Sequence, residues 1–226
     1  MSDHQNVSAA MAASDDRSHE LLIFMKGIKN WFASHPRLSG GSNPTVHSVK
    51  ARLKNRDHLE AKIARKPADS DPIDAHKLFT RVTDLAGVRA LHLYQQQAKS
   101  IHAAIVDKVE NQRDWVLNEK PRAYTWDPDS KDFFAQMGLD VQSKDPFYTS
   151  VHYLVRPRAD SLLCCEIQAR PLFDEIWAEV DHALNYPIPS DNVACREQLR
   201  ILTKVVGAGR RLMDAIFRTA ASAEAK

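Results

Sequence analysis

Val151-His152-Tyr153-Leu154-Val155 and, shortly after it, Leu162-Leu163-Cys164-Cys165-Glu166-Ile167-Gln168-Ala169-Arg170 carry two apolar patterns, both of them those of strands. The first is rich in β-branched and aromatic residues. In the second, Leu163, Cys165, Ile167 and Ala169 alternate with Leu162, Cys164, Glu166 and Gln168, the period of two that gives a strand one inward face. Residues 156–161 between them predict a hairpin, whose pairing sets Glu166 beside Gln168 and brings Tyr148 and His152 towards them. Pro171 stands where a helix begins, and Leu172, Ile176, Val180 and Leu184 recur every four residues until Pro187 ends the run. Glu175, Glu179 and His182 share another face of that helix. Each polar residue has an ordinary reading by itself, as a solvated glutamate or a packed histidine. Their succession within residues 147–186 is the pattern of an active site.

Towards the N-terminus the chain turns basic. Lys50, Arg52, Lys54 and Arg56 alternate with Val49, Ala51, Leu53 and Asn55, so an extended backbone lines the cations on one face. Asp57 is placed to cap a helix with Leu59 and Ile63 inward and Lys62, Arg65 and Lys66 prolonging the positive surface. Forked guanidinium and point-charge ammonium groups suit a polyphosphate; an ordinary solvated basic face is the alternative. Residues 66–74 read as a loop from their Pro and Asp content. A short helix through Leu78, Phe79 and Val82 then leads to Thr83-Asp84-Leu85-Ala86-Gly87-Val88-Arg89 and a buried strand, Ala90-Leu91-His92-Leu93-Tyr94. Asp84, just before that strand, suits a metal ligand and a cap equally.

The outer parts supply packing. Leu21, Phe24, Met25, Ile28, Trp31 and Phe32 mark one face of a helix that His35-Pro36 and Ser39-Gly40-Gly41-Ser42 terminate. Residues 99–109 form an amphipathic helix through Ile101 and Ile105. Residues 111–133, with Pro121, Tyr124, Trp126 and Pro128, read as a long binding loop. Leu199, Leu202, Val206, Met213 and Ile216 describe a C-terminal helix that either covers the core or offers an oligomer face.

At 226 residues and 43% hydrophobic content, the chain is long enough for one domain with a real core. It is expected to comprise a disordered tail over 1–18, poor in periodicity, and a single domain over 19–220, with its core at about 46–187 and a C-terminal helix at about 194–218. A net charge of +2 gives no overall polycationic character demanding nucleic acid or a membrane surface. No run approaches a membrane span and the N-terminus lacks a basic-then-apolar signal, so a cytoplasmic protein with no membrane partner is expected. Three cysteines without a CxxC pair argue against a disulfide framework or zinc site. With no GxxxxGK[ST] and no GxGxxG, bound phosphates would depend on side-chain cations.

Taken in order, Arg52-x-Lys54, Lys62, Asp84-Leu-Ala-Gly-Val-Arg89, Tyr148-x-Ser150-x-His152, Glu166-Ile-Gln168-x-Arg170 and Trp177-x-Glu179-x-x-His182-x-x-x-Tyr186 resemble the synthetase domain of the RelA/SpoT family, from about Val46 to Tyr186. The chain is similar to its small, stand-alone alarmone synthetases. That resemblance implies an α+β fold of nucleotidyltransferase type: a mixed β-sheet flanked by helices, with extra N- and C-terminal helices. It implies transfer of the β,γ-pyrophosphoryl group of ATP to the ribose 3′-hydroxyl of GDP or GTP, making (p)ppGpp in a stringent response. By position, Arg52 and Arg89 would sandwich adenine, while Lys54 and Lys62 would hold the ATP phosphates. Asp84 and Glu166 would be the catalytic pair and bind Mg²⁺, with Glu166 also accepting the 3′-hydroxyl proton. Tyr148 would stack on the acceptor guanine, and His152 and Gln168 would line the acceptor site. Two carboxylates opposite an Arg/Lys strip suffice for phosphoryl-type transfer, which needs charge compensation more than covalent help.

Two departures stand out. Phe147 and Thr149 flank the tyrosine where the family generally carries a glycine and a cation, so the acceptor side is expected to show little preference for GTP over GDP. The glutamate motif ends Ala169-Arg170-Pro171 instead of in a branched residue, Arg and Thr. The chain has no room for the family's hydrolytic domain, and Asp181-His182 reverses that domain's His-Asp signature. Two alternatives stay open: the same chemistry on a tRNA 3′ end or an adenine nucleotide, and a silent nucleotide sensor. Two carboxylates facing substrate phosphates count against silence.

Overall fold

The alternation in 151–155 and 165–169 is realised as two antiparallel neighbours, β6 (Ser150–Arg156) and β7 (Cys165–Pro171), with His152 opposite Gln168 and Leu154 opposite Glu166. The computed structural model describes residues 3–65, 72–143, 149–185 and 190–224. Around that pair runs a mixed sheet in the order β1-β2-β7-β6-β4-β5, with β3 also on β6. Here β1 is Ser48–Leu53, β2 Ala86–His92, β3 Val116–Leu117, β4 Arg122–Tyr124 and β5 Asp140–Gln142. β2 and β7 pair in parallel, and β1 closes antiparallel on β2.

One face of the sheet is apolar. Val88, Ala90, Cys165, Ile167, Ala169, Val151 and Tyr153 are buried there with Met25, Ile28 and Phe32 of α1 (Asp3–Ser34) and Ile101 and Ile105 of α5 (Gln97–Glu110). Burying this face is the main driving force of the fold. The other face carries the polar residues and is partly covered by α7 (Leu172–Asn185), against which α8 (Val193–Glu224) packs. The remaining helices are α2 (Pro36–Ser39), α3 (Arg56–Arg65), α4 (Leu78–Arg81) and α6 (Pro128–Gln136). Among the described residues no helix is long and apolar enough to cross a membrane.

Several expectations change. The tail expected over 1–18 is helical from Asp3 on, because Ala10 and Met11 are buried in the core and Val7 and Ala13 pack against it; tertiary contact supplies what local propensity lacks. Residues 111–133 are no long loop. They contribute β3, β4 and the start of α6, which Pro128 opens and Gly138, with φ at +76°, follows. Asn55, not Asp57, caps α3, its side-chain oxygen accepting from the amides of Asp57 and His58. The C-terminal helix runs past its expected end at 218 to Glu224.

The stripe on α7 faces the other way. Ile176, Val180 and Leu184 are 50%, 38% and 40% exposed, while Asp174, Glu175 and Trp177 are buried. Phe173 meets Gly209, and the Trp177 indole donates to the Leu199 carbonyl, so α8 is the partner along this side of the helix. Ile201, Val205, Leu212 and Ile216 of α8 are exposed as well. The outward sides of these two helices are therefore partly apolar.

Arg210 bolts α8 to the sheet. Its buried guanidinium donates to Asp127 at 2.7 Å, to the Thr149 hydroxyl at 2.6 Å and to Asp174 at 3.3 Å. Asp174 also accepts the Thr149 amide at 2.9 Å. Removing the cation strands two buried carboxylates, so Arg210→Ala should cost about 3–5 kcal/mol, read from urea unfolding. Ile201→Thr, on the exposed side of the same helix, should stay within about 0.5 kcal/mol.

Candidate active site

Strand register assembles the site. On the polar face one row reads Arg52, Gly87, Glu166 and Leu154, and the next Lys50, Arg89, Gln168 and His152. Gly87 therefore sits between Arg52 and Glu166 without a side chain, and the gap it leaves is the floor of a cavity of about 250 Å³. Lys54, Asp84 and Glu179 complete its walls. A second hollow of about 370 Å³ shares Arg52, Arg89 and Glu179 with the first and adds Arg170, Trp177 and His182.

Each side of the cavity has its own electrostatics. Asp84 accepts from Lys54 at 2.7 Å and from Lys62 at 2.8 Å. Burial works against its charge, but the two ammonium groups outweigh this and hold the carboxyl at about 2, below its ordinary 3.8. Glu166 takes the His152 Nδ1 contact at 2.9 Å on one oxygen and the Gln168 amide at 2.6 Å on the other. Burial again opposes ionisation, and the hydrogen bonds and charge of its neighbours keep its carboxyl below the usual range, against the opposing charge of Asp84. Arg89 donates to Glu175 at 2.9 Å and to Glu179 at 3.2 Å. Arg52 makes no ion pair among the described residues and stands diagonal to Arg89 across the strand pair, and both line the two hollows.

The structure thus gathers Arg52, Lys54, Asp84, Arg89, Glu166 and Gln168 on one cavity. His152 and Lys62 meet it through Glu166 and Asp84. Tyr148 lies outside the described residues. Arg56, expected on the basic strip, begins α3 and pairs with Asp15 of α1, because the strand ends at Leu53. Thr149, which stands where the family generally carries a cation, is fully buried against Arg210 and Thr125, so its side chain does not reach the cavity surface. Lys50 and Glu175 went unassigned in the sequence, although Lys50 lies on the same alternating strip as Arg52.

As a donor set the cavity fits a magnesium ion. Asp84 and Glu166 present hard carboxylate oxygens to one space, and Mg²⁺ commonly takes one or two carboxylates and completes its shell with water and substrate phosphates. No group of three or more His, Cys, Asp or Glu side chains forms a closed cage among the described residues.

Comparison with known proteins gives the family. The family model described as "Region found in RelA / SpoT proteins" matches residues 51–191. The chain belongs to the RelA/SpoT family. A GTP pyrophosphokinase family protein from Streptococcus pneumoniae superposes with a TM-score of 0.62 at 20% identity, over 95% of this chain and 94% of that one. Small alarmone synthetase 1 from Bacillus subtilis bound to its product pppGpp gives 0.59 at 20% identity, over 95% and 96%. The same protein bound to AMPCPP gives 0.60 at 17%, over 93% and 96%. No curated protein matches the sequence at a significant level. The RelA/SpoT region holds every cavity residue except Lys50, whereas Arg210 lies beyond it.

The lysine pair yields a titration test. A carboxyl depressed in the folded state contributes stability that is complete above its unfolded value and is lost as pH falls from 3.8 through about 2. Lys54→Met should move the Asp84 midpoint up towards 3.8, read from the pH dependence of its carboxylate carbon in NMR. An unmoved midpoint would show that Lys54 is not its counter-ion.

Proposed function

We propose that this protein transfers the β,γ-pyrophosphoryl group of ATP to the 3′-hydroxyl of GDP or GTP, giving (p)ppGpp and AMP. The observation that carries the reading is the two-signed cavity: the cations Arg52, Lys54 and Arg89 and the carboxylates Asp84 and Glu166 line one space over the Gly87 floor, in a RelA/SpoT chain. Support also comes from a similar fold with AMPCPP or pppGpp bound. The two adjoining hollows have the combined size of a small-molecule site.

In this reading Arg52 and Arg89 hold adenine, and Lys54 and Lys62 turn from Asp84 to the phosphates. Asp84 and Glu166 would hold Mg²⁺, which when bound would compensate the charge spread over the transferring oxygens. Glu166, ionised and within reach of the acceptor ribose, takes the 3′-hydroxyl proton as the oxygen attacks the β-phosphorus. The bond from that phosphorus to the oxygen bridging it to the α-phosphorus breaks, and AMP leaves with the bridging oxygen. His152 and Gln168 orient Glu166 and border the acceptor, which Tyr148 stacks against.

The experiment uses γ-labelled ATP with GDP, GTP, ATP or bulk tRNA in separate tubes. Label should appear on the guanine nucleotides. Asp84→Asn and Glu166→Gln should each lower turnover by at least about a hundredfold while far-UV circular dichroism stays unchanged. Label appearing only on tRNA would transfer the chemistry to that acceptor. Retention of about a tenth or more of the wild-type rate in either variant would remove the carboxylates from the mechanism.

A further inference from the structure

We infer that Glu175, on the first turn of α7, is a positioning residue that sets the donor and acceptor halves of the site together. This rests on the pyrophosphate-transfer reading above. The carboxylate is 3% exposed and belongs to neither hollow's lining, so it acts through other side chains. One oxygen, Oε1, accepts from Arg89 at 2.9 Å and Lys50 at 3.0 Å; the other, Oε2, accepts from Arg170 at 2.9 Å. The three cations come from β2, β1 and β7.

Each oxygen serves a different half. Oε1 fixes Arg89, one wall of the adenine site. From Oε2 the contacts run on: Arg170 donates to the Gln168 oxygen at 2.9 Å, and the Gln168 amide nitrogen donates to Glu166 at 2.6 Å. A guanidinium has only donors, so Arg170 can take only the oxygen end of the Gln168 amide. That leaves the NH₂ end for Glu166 and fixes which way the amide faces. Without Arg170 the amide is free to turn its oxygen towards Glu166, where two acceptors would meet. Arg170 in turn is a buried cation whose countercharge is Glu175. A single carboxylate with two oxygens thereby ties the position of Arg89 to the orientation of Glu166.

Glu175→Gln keeps the shape but cannot accept from both sides with full charge. Calorimetric binding of an α,β-methylene ATP analogue with Mg²⁺, and steady-state kinetics with ATP and GDP, read the two halves separately. Glu175→Gln should weaken analogue binding about tenfold and lower kcat about tenfold as well. Arg170→Lys, which provides one point donor in place of a fork, should lower kcat while leaving analogue binding within about twofold. On binding, the double variant Glu175→Gln/Arg89→Ala should be no weaker than Arg89→Ala alone, since both remove the same interaction. Additive losses on binding, or equal losses of binding in Glu175→Gln and Arg170→Lys, would overturn the assignment and leave Glu175 a general support of the fold. If Glu175→Gln does not fold, Arg170→Lys against Gln168→Ala decides the acceptor half: their kcat losses should not add, and additivity overturns it. Wild-type protein that labels no acceptor would sink the reaction and not the positioning, which the binding arm then settles alone.

Discussion

Parallel pairing of β2 with β7 is the constraint on which this structure depends. It places Gly87 beside Glu166 and Arg89 beside Gln168, and because side chains alternate, those four residues must share a face. A slip of one residue would turn one strand over, sending Arg89 of β2, or Glu166 and Gln168 of β7, into the apolar face and the apolar residues of that strand out of it, and the fold would collapse with the site. Stability and function are here enforced by one register. The antiparallel neighbours β1 and β6 extend it outwards, adding Arg52 and Lys50 on one side and His152 on the other.

The polar face then needs a cover that does not fill it. α7 provides one by burying carboxylates where a bundle would bury leucines: Glu175 against three cations from the sheet, and Asp174, with Asp127 at the start of α6, against Arg210 of α8. Such pairs contribute little net stability over a well-packed apolar contact, yet they are costly to break singly. They also fix geometry, since an apolar contact tolerates sliding and a forked guanidinium between two carboxylates does not. Positional accuracy at the cavity thus comes from the layer behind it, which explains why the outward side of α7 is free to be apolar.

The sequence made the centre of this arrangement legible and its edges much less so. The strand pair 151–155 and 165–169 could be read because each is long enough to show its period, and that period placed His152, Glu166 and Gln168 together. Asp84 and Arg89 acquired roles only through the order of motifs, because an aspartate before a strand has equally good structural uses. β3 and β4 are two and three residues long, too short to show any period, so 111–133 read as a loop. Helix α7 misled for a physical reason. An apolar stripe at i, i+4 normally faces the core, and acidic residues in a first turn normally face water and the helix dipole. In this helix the sheet offers cations, so the acidic face is the buried one. Thr149 misled similarly: Arg210, sixty-one residues downstream, decides which way it points.

In the structure, the cavity's charges other than Arg52 satisfy one another. Lys54 and Lys62 are committed to Asp84, Arg89 to Glu175 and Glu179, and Glu166 to His152 and Gln168. A nucleoside triphosphate entering between them competes for the lysines with a carboxylate already held at about 2. On the proposed reaction that competition opens the donor side: phosphate oxygens that capture Lys54 and Lys62 release Asp84, leaving an oxygen donor uncovered only once the nucleotide is in place. Glu166 differs, because its partners are neighbouring sheet residues in fixed register and a nucleotide gives them no better acceptor. The two carboxylates that share one cavity thus differ in what holds them: Asp84 by two lysines outside the strands, which a bound phosphate would draw away on the proposed reaction, and Glu166 by neighbours in the sheet.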